Sequence, residues 1–191
     1  MPVTSYSFCE TNMTKISTLE IDSYDGTQLQ IQIDAFARLL HACVQSGASI
    51  SFVQPFTINA AKDFWHQKVL PGVLDGSRIL LIAKIEGQLA GCVQLDCDTP
   101  PNQPHRAEVA KLLVHPAFRR KGIARALMLA LEDAARQRQR RLITLDTRTG
   151  DHAEPLYRTL GYQTVGTIPE YAKDPFTDTF DATTIMYKLI T

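Results

Sequence analysis

The run from Val109 to Ala124 constrains the fold more than any other part of the sequence. It contains most of an apolar strand (residues 107–114), a turn with Pro116, three basic residues, and a glycine, Gly122, that enters a helix. The apolar residues of that helix recur every three or four positions, so one face is expected to pack on a sheet; they are Ile123, Leu127, Leu131 and Ala134. A short apolar strand at 142–146 follows, and the sequence therefore predicts a central β-α-β unit.

The other elements are predicted from apolar periodicity and turn residues. Further helices are expected at 27–46, at 58–69 (ending before Pro71) and at 152–160, where Asp151 and Glu154 resemble a capping box. Further strands are expected at 15–22, 78–85, 89–97, 163–167 and 183–189. Hairpin-rich β segments at both ends thus surround the central unit, which indicates an α/β (α+β) fold.

Size and composition limit the class of protein. A chain of 191 residues suits one domain spanning 1–191, with 1–14 as a candidate flexible segment. Twenty basic residues balance twenty acidic ones, so the overall charge favours neither nucleic acid nor a membrane surface. The N-terminus lacks the pattern of a secretory signal, and no apolar stretch approaches the roughly 20 residues that span a bilayer. The sequence therefore predicts a cytoplasmic protein.

The cysteines and histidines predict no metal site. Cys9, Cys43, Cys92 and Cys97 form no CxxC pair, and the five histidines have no ligand spacing. We interpret the cysteines as reduced structural thiols. The basic run at 136–141 is interpreted as a solvated helix end, where cations complement the helix dipole.

The turn before the central helix has the features of an anion site. The first N–H groups of a helix have no intrahelical partner and lie at its positive end, where phosphate oxygens bind. Arg119, Arg120 and Lys121 add positive charge, while Gly122 and Ala124 leave the backbone accessible. Taken alone, these residues are equally consistent with an ordinary basic loop before a helix.

Two motifs resemble the GNAT superfamily of acetyltransferases. Arg119-x-x-Gly122-x-Ala124 resembles its acetyl-CoA signature, and the segment from Ala153 to Tyr162 resembles the helix and strand that close its cofactor site, although Gly150 replaces a common Asn. The resemblance implies a mixed central sheet of six to seven strands, flanked by helices, with splayed central parallel strands. It also implies that acetyl-CoA (coenzyme A) binds to Leu112, Leu113, Val114, Arg119, Arg120, Lys121, Gly122, Ile123 and Ala124.

A narrower resemblance covers residues 105–190. Arg106 to Val109, Leu145 to Thr147 and Pro169-x-Tyr171 are similar to segments of the tabtoxin-resistance acetyltransferases. It implies roles for Glu108, Asp146 and Tyr157. The N-terminal third matches that group poorly, so its substrate is not carried over.

The chemistry of acetyl transfer accounts for these three residues. An alkyl ammonium with a pKa of about 10.4 must lose a proton before it can react. Glu108 shares strand parity with apolar Ala110, Leu112 and Val114, so partial desolvation is expected to make it a better base. Asp146 ends the next central strand. Alternatively, both acids are solvated or salt-bridged strand-end carboxylates. Tyr157 is expected to supply a proton to the departing sulfur, unless it only packs on the sheet.

The sequence therefore predicts an enzyme, monomeric or homodimeric, that acetylates a primary amine of a small molecule. Two alternatives stay open. A protein N-terminal or lysine acetyltransferase would share the chemistry but need an open groove. A non-catalytic acyl-CoA sensor would keep the loop without a working base.

Overall fold

An eight-stranded mixed sheet runs through the part of the chain that our computed structural model describes, residues 4–6 and 18–191. The spatial order is β1-β2-β3-β4-β5-β6-β8-β7, and only β5 and β6 are parallel. The strands are β1 Thr4–Tyr6, β2 Leu19–Tyr24, β3 Arg78–Ile85, β4 Gln88–Asp96, β5 Arg106–Val114, β6 Leu142–Arg148, β7 Gln163–Lys173 and β8 Phe180–Leu189. The predicted fold class is confirmed, with one short strand, β1, beyond the six to seven expected.

Helices cover both faces of the sheet. They are α1 Gly26–Ile31, α2 Ile33–Gln45, α3 Ile58–Phe64, α4 Leu70–Leu74, α5 Ile123–Gln137 and α6 Ala153–Thr159, with a π-helical turn at Trp65–Val69 and a 3-10 turn at Pro116–Phe118. Phe36 and Trp65 are fully buried in the core between α1–α4 and the sheet, and Leu127 and Leu131 in the core under α5 and α6. We call the side of the sheet covered by α1–α4 the α1–α4 face, and the opposite side the α5–α6 face.

Two helix predictions had the wrong bounds. The helix expected at 27–46 breaks at Gln32, whose side-chain amide donates a hydrogen bond to the Tyr24 hydroxyl. The helix expected to end at 69 continues through the π-helical turn into α4, because Pro71 lies in the first turn of α4, where its missing N–H costs little.

The C-terminal hairpin is longer than predicted. β7 runs through Pro169 to Lys173, although the pattern predicted a strand only at 163–167. An edge strand tolerates proline because one side of its backbone has no strand partner. Of the strand predicted at 15–22, residues 15–17 lie outside the described residues, as do Cys9 and most of the segment 1–14.

The two parallel strands separate soon after they meet. Only Arg106, Ala107 and Glu108 of β5 pair with β6; beyond them β5 pairs with β4 alone, and β6 with β8 alone. The implied splay is therefore confirmed. A gap, hereafter the fork, opens directly after Glu108.

A β-bulge lies in β5 beside the fork. Ala110 is opposite Gln94 and Leu113 is opposite Cys92, so β5 carries one extra residue, and Lys111 adopts a φ of +50°. After the bulge, Leu112 and Val114 pack on the α5–α6 face, the face that Val109 also occupies. Glu108 therefore does not share a face with Leu112 and Val114, and the parity argument for its desolvation was wrong.

Candidate active site

A cavity of about 950 Å³ extends through the fork. It is bounded by the end of β5, the turn before α5, the C-terminus of α2 and the start of α6. Eight of the nine residues predicted to bind acetyl-CoA line it: Leu112, Leu113, Val114, Arg119, Arg120, Gly122, Ile123 and Ala124. The ninth, Lys121, does not; its ammonium lies 5.6 Å from the centroid of the Phe118 ring.

The turn before α5 presents free backbone donors. Arg120 and Gly122 have φ values of 65° and 76°, and Gly122 is an N-cap without a capping side chain. Among the described residues, the N–H groups of residues 120–125 have no hydrogen-bond partner, and Ala126 is the first to donate within the helix, to the Gly122 carbonyl at 3.0 Å. Consecutive amides at the positive end of a 15-residue helix form a concave anion site.

Two side-chain contacts hold this turn in place. His115 Nδ1 accepts a hydrogen bond from the Ala117 amide at 3.2 Å, which starts the 3-10 turn. Arg119 Nη2 donates to Ser46 Oγ at 2.6 Å, which ties the turn to the end of α2. One local and one tertiary contact therefore hold the turn in place before any ligand binds.

Sequence reasoning missed one side of the cavity. Cys43, Ser46, Gly47 and Ala48 line it from the end of α2, and Arg148, Asp151 and His152 line it from the segment after β6. The α2 residues are some 70 positions from the turn that they contact, and no local signal in the sequence links the two.

Glu108 lies at the base of the fork. Its side chain is 50% exposed, and its carboxylate lies 3.3 Å from Arg106 Nη1, so the expected desolvation is not found. The Cα partner of Glu108 on β4 is Asp96, which forms an ion pair with Arg78. Glu108 and Ala110 face the α1–α4 side, since the intervening Val109 belongs to the opposite core.

Asp146 is two residues beyond Thr144, the last residue of β6 that pairs with β5. It is exposed, and Oδ2 accepts a hydrogen bond from Thr183 Oγ1 at 3.2 Å. Its neighbour Leu145 is buried on the α5–α6 face, so Asp146 projects to the same side as Glu108. No direct hydrogen bond joins the two carboxylates, and neither lines the large cavity.

Tyr157 lies on the opposite side of the sheet. It is 5% exposed, packs in the α5–α6 core and has its ring centroid 5.8 Å from that of Tyr162. Burial raises the pKa of the Tyr157 phenol, and the negative charges of Asp151 and Asp146 raise it further. The hydroxyl is therefore protonated at neutral pH. Its neighbours Ala153 and Leu156, but not Tyr157 itself, line the large cavity.

Cys43 is the thiol of the large cavity. Its Sγ donates to the Val114 carbonyl at 3.5 Å, and burial raises its pKa to about 11, against an opposing effect of the Arg119 charge. The side chain is therefore a neutral thiol at pH 7 and a poor nucleophile.

Within residues 4–6 and 18–191, no three His, Cys, Asp or Glu side chains lie close enough together to hold a metal ion. No helix in the same part of the chain has the length and apolar character needed to cross a membrane.

Comparison with known proteins identifies the family. The model of the acetyltransferase (GNAT) family matches residues 43–162, which include the fork, the turn and α6. The chain belongs to this family. GNAT proteins use acetyl-CoA, and the free amides and arginines of the turn suit its diphosphate.

Individual relatives agree with this assignment. An uncharacterized N-acetyltransferase encoded in the hisH-hisA intergenic region of Azospirillum brasilense is 30% identical over 146 residues, which cover 75% of this chain and 82% of the relative. A ribosomal-protein-alanine N-acetyltransferase from Brucella melitensis has a TM-score of 0.73 at 21% identity, covering 89% of this chain and 99% of that one. The YncA structure from Salmonella typhimurium, a putative acetyltransferase with its cofactor acetyl-CoA, has a TM-score of 0.71 at 18% identity. The match covers 91% of this chain and 94% of that one. At these identities the two structures establish the fold.

Proposed function

We propose that this acetyltransferase transfers acetyl from acetyl-CoA to a primary amine of a small molecule, by direct attack of the amine with general-base assistance. The observation that carries the proposal is the row of unpartnered amides at 120–125, which open into a cavity that continues through the fork. Bound acetyl-CoA supplies the thioester from which the acetyl group is taken. Its diphosphate would be held by the backbone from Arg119 to Ala124.

The two carboxylates are proposed to bind the acceptor and accept its proton. Glu108 and Asp146 project from adjacent parallel strands to the α1–α4 face, one at the base of the fork and one just beyond it. Together they attract a cationic amine, and either can take its proton directly or through water. Their exposure argues for solvated bases that act by proximity rather than by desolvation.

Tyr157 is proposed as the general acid. Its protonated phenol belongs to the α5–α6 core, on the side of the sheet opposite the two carboxylates, and its neighbours Ala153 and Leu156 line the large cavity. Proton donor and proton acceptor on opposite faces suit a reaction in which the amine enters on one side and the sulfur leaves on the other.

The Tyr157→Phe variant should turn over about 10-fold to 100-fold more slowly, with the Kd for acetyl-CoA within about twofold of wild type. The control is Tyr162→Phe. Tyr162 is equally buried beside Tyr157, and its hydroxyl has no hydrogen-bond partner among the described residues, so its removal should leave turnover unchanged. Steady-state kinetics and calorimetry provide the comparison; equal rates for the two variants would make Tyr157 a packing residue.

The neutral thiol at Cys43 supports direct transfer over a cysteine acyl-enzyme. We expect Cys43→Ala to keep kcat within about threefold of wild type, whereas a required nucleophile would be lost completely. Loss of the thiol can weaken packing near Val114, so thermal stability is measured in parallel. A burst of thiol release that disappears in the variant would instead indicate an acyl-enzyme.

The substrate class is tested by following free CoA thiol against amino acids, polyamines, aminoglycosides and β-lactam amino acids. The last group is included because the resemblance to tabtoxin-resistance acetyltransferases stays a prediction. Turnover only with peptides bearing the acceptor amine would favour the protein acetyltransferase instead. Acetyl-CoA binding without turnover on any amine would favour the sensor. A cytoplasmic location, a single domain and a monomeric or homodimeric state likewise stay predictions.

A further inference from the structure

A second cavity, of about 480 Å³, lies on the α1–α4 face next to the fork. Its floor is Gln94, Ala110 and Lys111 of the paired strands β4 and β5, and its walls include Phe52 and Phe64. Lys111 directly precedes Leu112, which lines the large cavity, so the same stretch of β5 contributes to both cavities. This is the side of the sheet to which Glu108 and Asp146 project. We call it the acceptor-side cavity.

Lys111 carries an unbalanced positive charge in this cavity. Its Nζ donates to Ser51 Oγ at 3.1 Å and lies 5.7 Å and 5.6 Å from the ring centroids of Phe52 and Phe64. No carboxylate forms an ion pair with it among the described residues. Burial lowers its pKa, with Asp146 opposing and Arg78 reinforcing the effect. An ammonium with three donors and one protein acceptor has room for an anionic ligand.

Gln94 adds a second unsatisfied donor. The side chain is fully buried, and its Oε1 accepts a hydrogen bond from Arg78 Nη1 at 3.3 Å. Since the guanidinium can only donate, this contact fixes the amide orientation and leaves Nε2 without a partner. A buried N–H without a partner is energetically unfavourable, and an acceptor atom of a bound ligand would remove that cost.

Among the described residues, the lining contains no acidic side chain. Its charged members are Lys68, Arg78 and Lys111, and within the described part of the chain only Arg78 has a carboxylate partner, Asp96. A cationic amine is therefore disfavoured here, while the nearby Glu108 and Asp146 favour it at the fork. The charges are arranged for a ligand with an anion at one end and an amine at the other.

We propose that the acceptor-side cavity binds a carboxylate of the acceptor, through Lys111 Nζ and Gln94 Nε2, so that the substrate is a small amino acid rather than a simple amine or a peptide. This inference rests on the proposed function, since it assigns the substrate class of that same site. The bulge then contributes to substrate specificity, because it directs the Lys111 side chain to the α1–α4 face beside the reacting amine.

The test uses matched acceptors that differ only in the carboxylate. A set of amino acids is compared with the corresponding amino-acid amides, each keeping its primary amine. We expect the wild-type enzyme to prefer the acid by about 10-fold or more in kcat/KM. A preference of this size corresponds to the free energy of one or two charge-assisted hydrogen bonds. A peptide-directed enzyme would prefer the amide, which resembles a peptide N-terminus, and that result would overturn the inference.

Variants assign the preference to the cavity. Lys111→Met keeps the side-chain stem and should bring the acid-to-amide ratio to about 1, with acetyl-CoA affinity unchanged. Gln94→Glu keeps an acceptor for Arg78 but adds negative charge, and should reverse the preference. Lys62→Met is the control, because Lys62 is exposed, pairs with Asp34 and lies outside the cavity lining. A ratio that persists in Lys111→Met would overturn the assignment.

A binding measurement separates this inference from the proposed function. Calorimetry with N-acetylated amino acids and their amides requires no turnover. Binding of the acids alone, abolished by Lys111→Met, would uphold the carboxylate site even if no amine were acetylated, a result that would reject the proposed function. Acetyl transfer with equal rates and equal affinities for acids and amides would uphold the proposed function and reject the carboxylate site.

Discussion

Replacing Gly122 with valine is expected to weaken acetyl-CoA binding at least tenfold. Gly122 has a φ of 76°, a region where an L-residue costs about 1–2 kcal/mol and a β-branched one more. It lies between two stretches of free amides and lines the large cavity. The variant relieves the strain only by moving the turn, which misaligns the donors, and the added side chain occupies part of the cavity. Calorimetric titration with acetyl-CoA measures the loss.

The matched control is Gly87→Val. Gly87 has the same φ of 76°, and a Cβ built there meets nothing within 4 Å. It lies in the turn between β3 and β4, outside the cavity lining. Both variants should lose similar thermal stability, and only Gly122→Val should lose affinity. If the two variants bound acetyl-CoA with equal affinity, the turn would be rejected as the diphosphate site.

The Glu108→Gln, Asp146→Asn double variant is expected to lose about 100-fold or more in kcat/KM at pH 6, and less at pH 9. A general base contributes about 10²–10⁴-fold. Without one, the reaction depends on free amine, whose fraction rises about tenfold per pH unit below an amine pKa of about 10. The deficit therefore shrinks as the pH rises. The measurement is the pH profile of kcat/KM with the best acceptor from the screen.

Each single variant should lose less than the double, because the remaining carboxylate lies on the same face of the fork. Asp133→Asn is the control. Asp133 is an exposed acid that pairs with Arg136 at 2.9 Å, as Glu108 pairs with Arg106, but it lies on α5 away from the fork. A double variant with the wild-type pH profile would contradict the base assignment. Acetyl-CoA affinity should be unchanged in all of them.

The turn that we propose for the diphosphate could be predicted because its determinants are contiguous. The strand, Pro116, the basic residues and Gly122 lie within 16 positions, and unpaired amides at a helix start suit an anion whatever the surrounding side chains are. The same locality explains why the β-α-β unit and the β3–β4 hairpin were found. The charge of Lys121 fits the pattern of a phosphate ligand, but its ammonium lies over the Phe118 ring and the residue does not line the cavity.

The surroundings of Glu108 could not be predicted from strand alternation. One extra residue at Lys111 changes which face each later residue of β5 occupies, and nothing in the apolar pattern marks the bulge. The carboxylate is half exposed and paired with Arg106. The far wall of the large cavity, formed by Cys43 and Ser46, also escaped prediction, because it depends on how α2 packs on β4 and β5.

The sequence alone determined the class of fold and the turn with free amides before α5, since both follow from short-range periodicity and from backbone groups that a helix start leaves unpaired. The tertiary structure decided where the sheet splits, which faces the acids and Tyr157 occupy, and that Lys111 and Gln94 meet in one cavity. These outcomes depend on register and on packing between distant segments. A change of one residue in register moves a side chain to the other side of the sheet.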